Sequence, residues 1–286
     1  MISVVMPVYN EEKNILKALD ALYSNTVLPD EVIVTDGGST DRTAPLIRKY
    51  YPQVILISNS RKNAASGRNI GIKRAKGDII AFTDGDCIVA RDWIEKITEA
   101  FKNHDIDGLG GKIKVAPPVN HIEEYWGNLA WNLIMNFGDE PYVVDKCTIN
   151  DSLVTANCAY TRKLLYQLKG FNNWFANNAE DTDLSWRAVK SGAKLMYIPD
   201  VCVYAHNVTT VSGVAKKSFR NGFSSSKLQK VYGRRINYDP NIYRVLGSNL
   251  IGFFKRQKDA DLNVLELVCH LAGKYYGSIK VHVINV

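Results

Sequence analysis

Four short, continuous runs of apolar residues, each followed by a stretch with helical spacing, constrain the first hundred residues of this chain more than any other feature. They read ISVVMPV at 2–8, EVIVTD at 31–36, VILISN at 54–59 and DIIAFTD at 78–84. Runs this short and rich in Ile and Val belong to strands buried on both faces. Between them, EEKNILKALDALYS carries Ile15, Leu19 and Leu22 on one helical face. STDRTAPLIRKYY offers Ser39 or Asp41 as a helix cap, and AASGRNIGIKRAKG reads as a third helix ended by Gly77. This alternation predicts a parallel sheet covered by helices on both faces.

The ends of these runs are polar. The first runs into Tyr9, Asn10 and Glu11, the second into Asp36, Gly37 and Gly38, and the fourth into Asp84, Gly85 and Asp86. An Asp-Gly pair by itself reads as a turn. Three strands that deliver polar side chains to one edge of one sheet predict a site there, because open α/β sheets hold ligands beyond the carboxyl ends of their strands. Two carboxylates one residue apart suit Mg²⁺ or Mn²⁺, which accepts a few carboxylate oxygens and keeps positions open for phosphate. Gly85 is expected to permit the sharp turn that lets both carboxylates reach one side.

Beyond Trp93 the alternation loosens. WIEKITEAFKN reads as a helix, GLGGKIKVAPP as a strand that breaks at its prolines, and HIEEYWGNLAWNLIMNF as an aromatic-rich helix. LVTANCAYTRKLLYQLKGFN reads as a short strand leading to a helix. AEDTDLSWRAVKSG is a helix with acids in its first turn and Gly192 past its end, and AKLMYIPDVCVYAHN is a strand that ends at His206. No apolar run approaches the roughly 20 residues that span a bilayer, and MISVVMPVYNEE lacks the basic start of a signal peptide. Cys87, Cys147, Cys158, Cys202 and Cys269 are scattered, with no CxxC pair. That argues for a reducing compartment and against a disulfide framework or a zinc site. The net charge of +7 suits an anionic partner, whether nucleotide, nucleic acid or membrane surface. It is concentrated: from Asn207 to Tyr238 there is no acid, but Lys216, Lys217, Arg220, Lys227, Lys230, Arg234 and Arg235 are present.

SVVMPVYNEE, EVIVTDGGSTDRT, GRNIGIKRAKGDIIAFTDGDC, the Gly170–Phe171 pair and AEDTDLSWRAVKSGAKLMYIPD occur in the order seen in family 2 glycosyltransferases of the GT-A fold. Over about residues 1–206 the chain resembles that family. The resemblance implies an α/β, Rossmann-like, mostly parallel sheet with helices on both faces; the residues after it read as a helical, basic C-terminal tail. It implies a catalytic domain at 1–206, with a nucleotide-sugar-binding half at 1–110 and an acceptor-binding half at 111–206. A mainly helical extension follows at 207–286. The implied reaction is a metal-dependent, inverting transfer of a sugar from a nucleotide diphosphate sugar.

Carried over residue by residue, the resemblance implies that Pro7, Tyr9 and Glu11 line the nucleotide pocket. Asp36 matches the first of the family's paired acids that contact the base, and Gly37 replaces the second. Arg68 matches a residue near the base and diphosphate. Asp84 and Asp86 match the DxD motif, whose acids hold the ribose and the metal. Glu180 and Asp181 match the ED motif, in which the aspartate is the general base, and Arg187 matches the arginine that follows on the same helix. His206 lies where some members supply a further metal ligand. The QxxRW motif of processive synthases is missing, so polymer synthesis and export are not expected.

Read independently, the acids at 180, 181 and 183 would be favoured at a helix start by the dipole in any case. Glu180 and Asp181 cannot share a helix face, so at most one points into the site. Arg187, four residues after Asp183, could simply pair with it, and Asp36 could cap the turn at Gly37–Gly38. Asn157 is a candidate acceptor contact, as Glu180 and Arg187 are by resemblance. Trp126, Trp131, Trp174 and Asn177 could also line an acceptor site, with burial in a core as the competing role. Val211, Ala215, Phe219 and Phe223 fall at i, i+4 steps beside Lys216, Lys217 and Arg220. Such a helix either lies on anionic lipid or packs on the catalytic domain.

The expected partners are a nucleotide-sugar donor, a divalent metal, and a glycan, lipid-linked saccharide or polyprenyl phosphate as acceptor. The expected location is the cytoplasm, with peripheral contact at the cytoplasmic face of an anionic membrane as one of the two readings of the tail helix; nucleic acid is not expected. Two other readings compete. A sugar nucleotidyltransferase would carry a glycine-rich basic loop after the first strand, where this chain has YNEEKN. A non-catalytic nucleic-acid- or membrane-binding module built on the basic tail would have no need of Asp84, Asp86 and Asp181.

Overall fold

The computed structural model describes residues 1–129, 138–149, 151–176, 178–233 and 259–283. Trp131, Asn177, Arg234 and Arg235 therefore lie outside the described residues. The elements in chain order are β1 (Ile2–Val8), α1 (Ile15–Tyr23), β2 (Glu31–Asp36), α2 (Thr43–Tyr50), β3 (Ile55–Ser58), α3 (Ala64–Arg74), β4 (Ile79–Phe82), β5 (Cys87–Val89) and α4 (Trp93–Asn103). There follow β6 (Gly108–Val115), α5 (His121–Gly127), β7 (Tyr142–Val143), β8 (Cys158–Thr161), α6 (Arg162–Gln167), α7 (Glu180–Lys190), β9 (Leu195–Ala205), α8 (Val211–Tyr232) and α9 (Ala260–Lys280).

The chain divides into two compact units. The first comprises Met1–Pro117 and Leu129–His206, the second Pro118–Asn128 and Asn207–Val286. The grouping differs from the expected division at one point: α5 belongs with the C-terminal helices rather than with the sheet.

In the first unit the strand order is β3-β2-β1-β4-β8-β6-β9-β5, with β7 beside β9. The β3, β2, β1 and β4 strands are parallel. Here the continuous apolar runs split by alternate residue. Val4, Met6 and Val8 of β1 face one core with Ile15, Leu19, Trp93 and Ile97. Val5 faces the other, with Ile33, Phe82, Ala65, Ile72 and Leu184. Each large side chain so buried contributes roughly 1.5–3 kcal/mol, which is why these short strands hold their places. The second half of the sheet is mixed: β8 runs antiparallel to β4 and β6, and β9 runs parallel to β6 but antiparallel to β5.

The β6–β9 ladder shifts register between Gly111 and Lys112. A Cβ on Gly111 would lie 2.0 Å from the Val201 carbonyl oxygen, so only glycine fits. The irregularity leaves carbonyls to satisfy, and Asn157 does this. Its Nδ2 donates to the Lys112 and Val201 carbonyls at 2.8 Å, and its Oδ1 accepts from the Trp93 indole at 2.8 Å. The expectation that Asn157 contacts an acceptor is thereby corrected: it is a buried structural pin with its side-chain groups committed.

The second unit is helical. Helices α8 and α9 pack side by side through small residues. A Cβ on Gly222 would fall 1.9 Å from the His270 carbonyl oxygen, and one on Gly273 would fall 2.0 Å from that of Phe219. Ser226 Oγ donates to the Lys274 carbonyl at 2.8 Å. The buried carboxylate of Glu123 in α5 accepts from the backbone N–H groups of Val119 and Asn207 at 2.8 and 2.9 Å. Trp126 is a core residue of this unit, with the Lys217 ammonium 5.7 Å from its ring centre. Phe219 and Phe223 lie against Tyr276 of α9. No helix among the described residues is long and apolar enough to cross a membrane.

Candidate functional site

The ladder sets Val8 beside Asp36 and Val5 beside Phe82, so β1, β2 and β4 end along one edge. The loops there are tied by short polar side chains that bond to nearby backbone groups. Asn10 N–H donates to Ser39 Oγ at 2.9 Å, and Thr40 N–H donates to Asn10 Oδ1 at 2.8 Å. Glu11 N–H donates to Thr43 Oγ1 at 2.7 Å. Asp36 Oδ1 accepts from both the N–H and the hydroxyl of Ser39, at 2.9 and 2.6 Å. One of its oxygens therefore holds the turn. Asp41, not Ser39, serves the start of α2, where its Oδ1 accepts from Thr43 N–H at 2.9 Å. Pro7 packs on α3, where a Cβ at Gly67 would lie 3.2 Å from the Pro7 Cβ. Tyr9 stands 56% exposed beside Gly37.

Asp84 and Asp86 are the first and third residues of a four-residue turn closed by Cys87 N–H donating to the Asp84 carbonyl at 3.1 Å. Gly85 serves this turn through the space it leaves, not through a left-handed backbone. A Cβ on it would meet Val8 Cγ1 at 2.9 Å and Glu11 Cγ at 3.1 Å. Glu11 thus approaches the tip of the turn. Its pKa is pushed up to about 7, chiefly by burial, with the charges of Asp86 and Asp84 adding to the rise.

One ligand atom from each of Asp84, Asp86 and Cys87 lies within 4.8 Å of the others. The set fits a hard divalent ion. Both aspartates are partly exposed and can offer oxygens. The buried Cys87 thiol has its pKa raised well above the usual range by burial, with the neighbouring aspartates adding to it, so it stays an S–H group 3.6 Å from Asp86 Oδ1. His206 is not part of that cluster. The antiparallel pairing of Cys87 with Ala205 nevertheless places it one residue beyond the ladder, alongside Asp86.

Arg68 is the hub. It is 3% exposed, and it donates to Asp84 Oδ1 and to Glu180 Oε1, each at 2.7 Å. The Phe171 ring lies 5.7 Å from its guanidinium. Its two terminal nitrogens are engaged by carboxylates. Glu180 is also removed from the acceptor role, being 4% exposed and held by Arg68. Arg187 is likewise structural. It pairs with Asp183 at 2.8 Å and donates to the Leu168 and Gly170 carbonyls at 2.7 and 2.8 Å.

Asp181 remains at the start of α7 with partial exposure. Burial raises its carboxyl above the usual range, while the Thr182 N–H, Arg68 and the Thr155 N–H oppose the rise. Trp174 is 43% exposed, with Phe175 edge-on to it. Sequence reasoning missed Asn69, whose side chain donates to the Phe171 carbonyl and accepts from the Phe171 N–H, both at 2.8 Å. Its place next to Arg68 was the available signal. It also missed Ser39 as the partner of Asp36 and Cys87 as the neighbour of Asp86.

An α/β sheet whose strand ends gather paired acids and a buried guanidinium defines a class, and sequence comparison names it. A model of glycosyl transferase family 2 matches residues 3–168, more than half of the chain, and the chain belongs to that family. Glycosyltransferase AglE of Haloferax volcanii is 29% identical over 229 residues, covering 77% of this chain and 71% of the relative. The O-antigen chain rhamnosyltransferase RfbN of Salmonella typhimurium is 27% identical over 218 residues, covering 73% of this chain and 67% of its own. Three further bacterial relatives match over only 33–44% of their length. The mannosyltransferase PcManGT from Pyrobaculum calidifontis, solved with GDP-Man and Mn²⁺, superposes with a TM-score of 0.66 at 16% identity. That match covers 96% of this chain and 86% of the other, and it establishes the GT-A type of fold. The protein is a glycosyltransferase.

Proposed function

We propose that the protein transfers a sugar from a UDP- or GDP-sugar to a hydroxyl of a glycan or lipid-linked saccharide, with inversion. Asp181 is the general base, and a divalent ion sits at Asp84 and Asp86. The observation that carries this reading is the Arg68 bridge, which ties the metal-type aspartates at the end of β4 to the acids that open α7. Donor and acceptor chemistry are thus braced against each other through one side chain.

Tyr9, exposed at the sheet edge, offers a flat face to the base, and Pro7 and the second oxygen of Asp36 line the same edge. His206, alongside Asp86 across the β5–β9 ladder, is assigned as a further metal donor. When bound, the ion neutralises charge that develops on the departing diphosphate. Asp181 takes the acceptor proton as the new bond forms. One displacement with no covalent sugar intermediate inverts the anomeric carbon. A saccharide acceptor is favoured by the kinship with an O-antigen chain rhamnosyltransferase. On this reading the enzyme works at the cytoplasmic face of a membrane that carries the acceptor.

Release of nucleoside diphosphate from a panel of UDP- and GDP-sugars, with and without Mn²⁺, tests the proposal. Turnover with none of them in the presence of acceptor saccharides would overturn it. For the metal, Asp86→Ala should abolish Mn²⁺-dependent binding of the nucleoside diphosphate in calorimetry, with thermal stability retained because the residue sits in a surface turn. Equal affinity in parent and variant would remove Asp86 from the site.

A pH dependence follows from Glu11. Its pKa is raised to about 7 in the folded protein, first by burial and then by Asp86 and Asp84. A cation on those aspartates offsets the repulsive part and favours ionised Glu11. Mn²⁺ binding should therefore release a proton and strengthen as pH rises through about 7. Calorimetry in buffers of different ionisation enthalpy measures the release, which Glu11→Gln should remove. A metal affinity flat between pH 6 and 8, values chosen to bracket about 7, would refute it.

A further inference from the structure

We infer that the second unit carries a docking face for an anionic lipid surface, built from an apolar stripe on α9 and a cationic row on α8. The exposed positions of α9 include Val268, Ala272, Tyr275, Tyr276 and Ile279, which recur at steps of three and four residues along one side of the helix. Val268 is 50% exposed, Tyr276 52% and Ile279 77%. A surface helix in water ordinarily shows polar residues on such a side, with its apolar stripe turned inward. In α9 Leu262 and Leu267 are buried nearer its start, whereas its last turns put Gly273, Gly277 and Ser278 inward and leave Tyr275, Tyr276 and Ile279 exposed.

The stripe continues onto α8, where Phe219 and Phe223 lie 5.8 and 5.9 Å from the Tyr276 ring centre. Around these aromatics α8 places cations: Lys216 and Arg220 beside Phe219, Lys227 with its ammonium 5.1 Å from the Phe223 ring centre, and Lys230 one turn on. The 22 residues of α8 contain no acid. The apolar line read from the sequence at Val211, Ala215, Phe219 and Phe223 is therefore one part of a wider surface, whose most exposed member, Ile279, lies on the other helix.

Apolar side chains ringed by cations meet the chemistry of an anionic bilayer. The stripe enters the boundary between headgroups and acyl chains, and the cations stay at the phosphate level. Nucleic acid would use the cations and aromatics but has no place for Val268 and Ile279. A second copy of this chain would bring the same cations against one another. Both occupants are chemically poorer fits. The inference rests on the proposed function only for its purpose, the approach to a membrane-held acceptor. Lipid binding and donor turnover are measured separately, so either can fail alone.

The test uses the full chain with phosphatidylcholine vesicles, with and without phosphatidylglycerol, in a sedimentation assay. Binding to the anionic vesicles is expected at low salt and should weaken as salt is added. Tyr276→Asp/Ile279→Asp should lower the partition coefficient roughly tenfold or more, with circular dichroism and release of nucleoside diphosphate unchanged. Lys216→Gln/Arg220→Gln/Lys230→Gln should remove the preference for phosphatidylglycerol. No sedimentation with anionic vesicles at low salt would overturn the inference, as would binding unchanged by Tyr276→Asp/Ile279→Asp. Self-association that this variant abolishes, without lipid binding in the parent, would reassign the face to a second copy. Binding of single-stranded nucleic acid in place of vesicles would overturn it too.

Discussion

Arg68→Met is expected to destabilise the protein by about 3–5 kcal/mol, the range for breaking a buried ion pair by removing one partner. The guanidinium is 3% exposed and bonded at 2.7 Å to two carboxylates on different elements. Glu180, whose side chain is 6% exposed, has no other counter-charge at hydrogen-bond distance among the described residues. Its Oε2 already lacks a hydrogen-bond partner. Without Arg68 it must either stay charged in a poorly solvated place or take up a proton.

The sign of the pH effect follows. Losing the cation raises the folded-state pKa of Glu180 further above its unfolded value, so the folded variant binds a proton more readily than the unfolded chain. Relative stability is then greatest at low pH and is lost as pH rises through the folded pKa. The deficit against the parent should narrow on acidification. Arg68→Met/Glu180→Met should recover much of the loss, since apolar groups of similar size can replace a buried pair at little cost. Urea unfolding of the two variants and the parent measures both effects. A single variant within 1 kcal/mol of the parent, well below the range quoted above, would show that Arg68 does not brace the site.

Asp181→Asn is expected to lower turnover by roughly 10²-fold or more, as loss of a general base does, with donor and metal binding kept. A hundredfold loss is about 2.7 kcal/mol of transition-state stabilisation. In the proposed mechanism the acceptor hydroxyl attacks from the face opposite the departing diphosphate, so its proton would go to a group away from Asp84 and Asp86. The first turn of α7 offers three acids. Glu180 is committed to Arg68 and Asp183 to Arg187. Asp181 is the one with partial exposure, and burial raises its pKa, which makes it a stronger base. The asparagine keeps the side-chain oxygen that accepts the Thr182 N–H at 2.8 Å, so the helix start should persist. The measurements are turnover at saturating donor and the anomeric configuration of the product by NMR. Near-parent turnover would remove Asp181 as the base, and a retained configuration would overturn single displacement.

The elements of the first hundred residues were legible in the sequence, because local periodicity carries them. Continuous Ile/Val runs mark doubly buried strands, and the spacing of Ile15, Leu19 and Leu22 marks a helix. The acids at the ends of β1, β2 and β4 were legible for the same reason: once the strands are parallel, their ends share an edge. The family followed from five motifs in order. The second half of the sheet was not legible, since nothing local says that β9 runs parallel to β6 and antiparallel to β5. The partners of Arg68 and Asn157 were equally hidden. Glu180 is 112 residues from Arg68 and Val201 is 44 from Asn157, distances at which only packing decides who meets whom. Position along the chain suggested solvent or ligand for both, and burial turned both into internal fastenings. Local pattern was enough to put carboxylates at the strand ends and positive charge in the tail. Tertiary structure decided which carboxylates a buried cation neutralises, which leaves Asp181 partly exposed, and which side of α9 meets water.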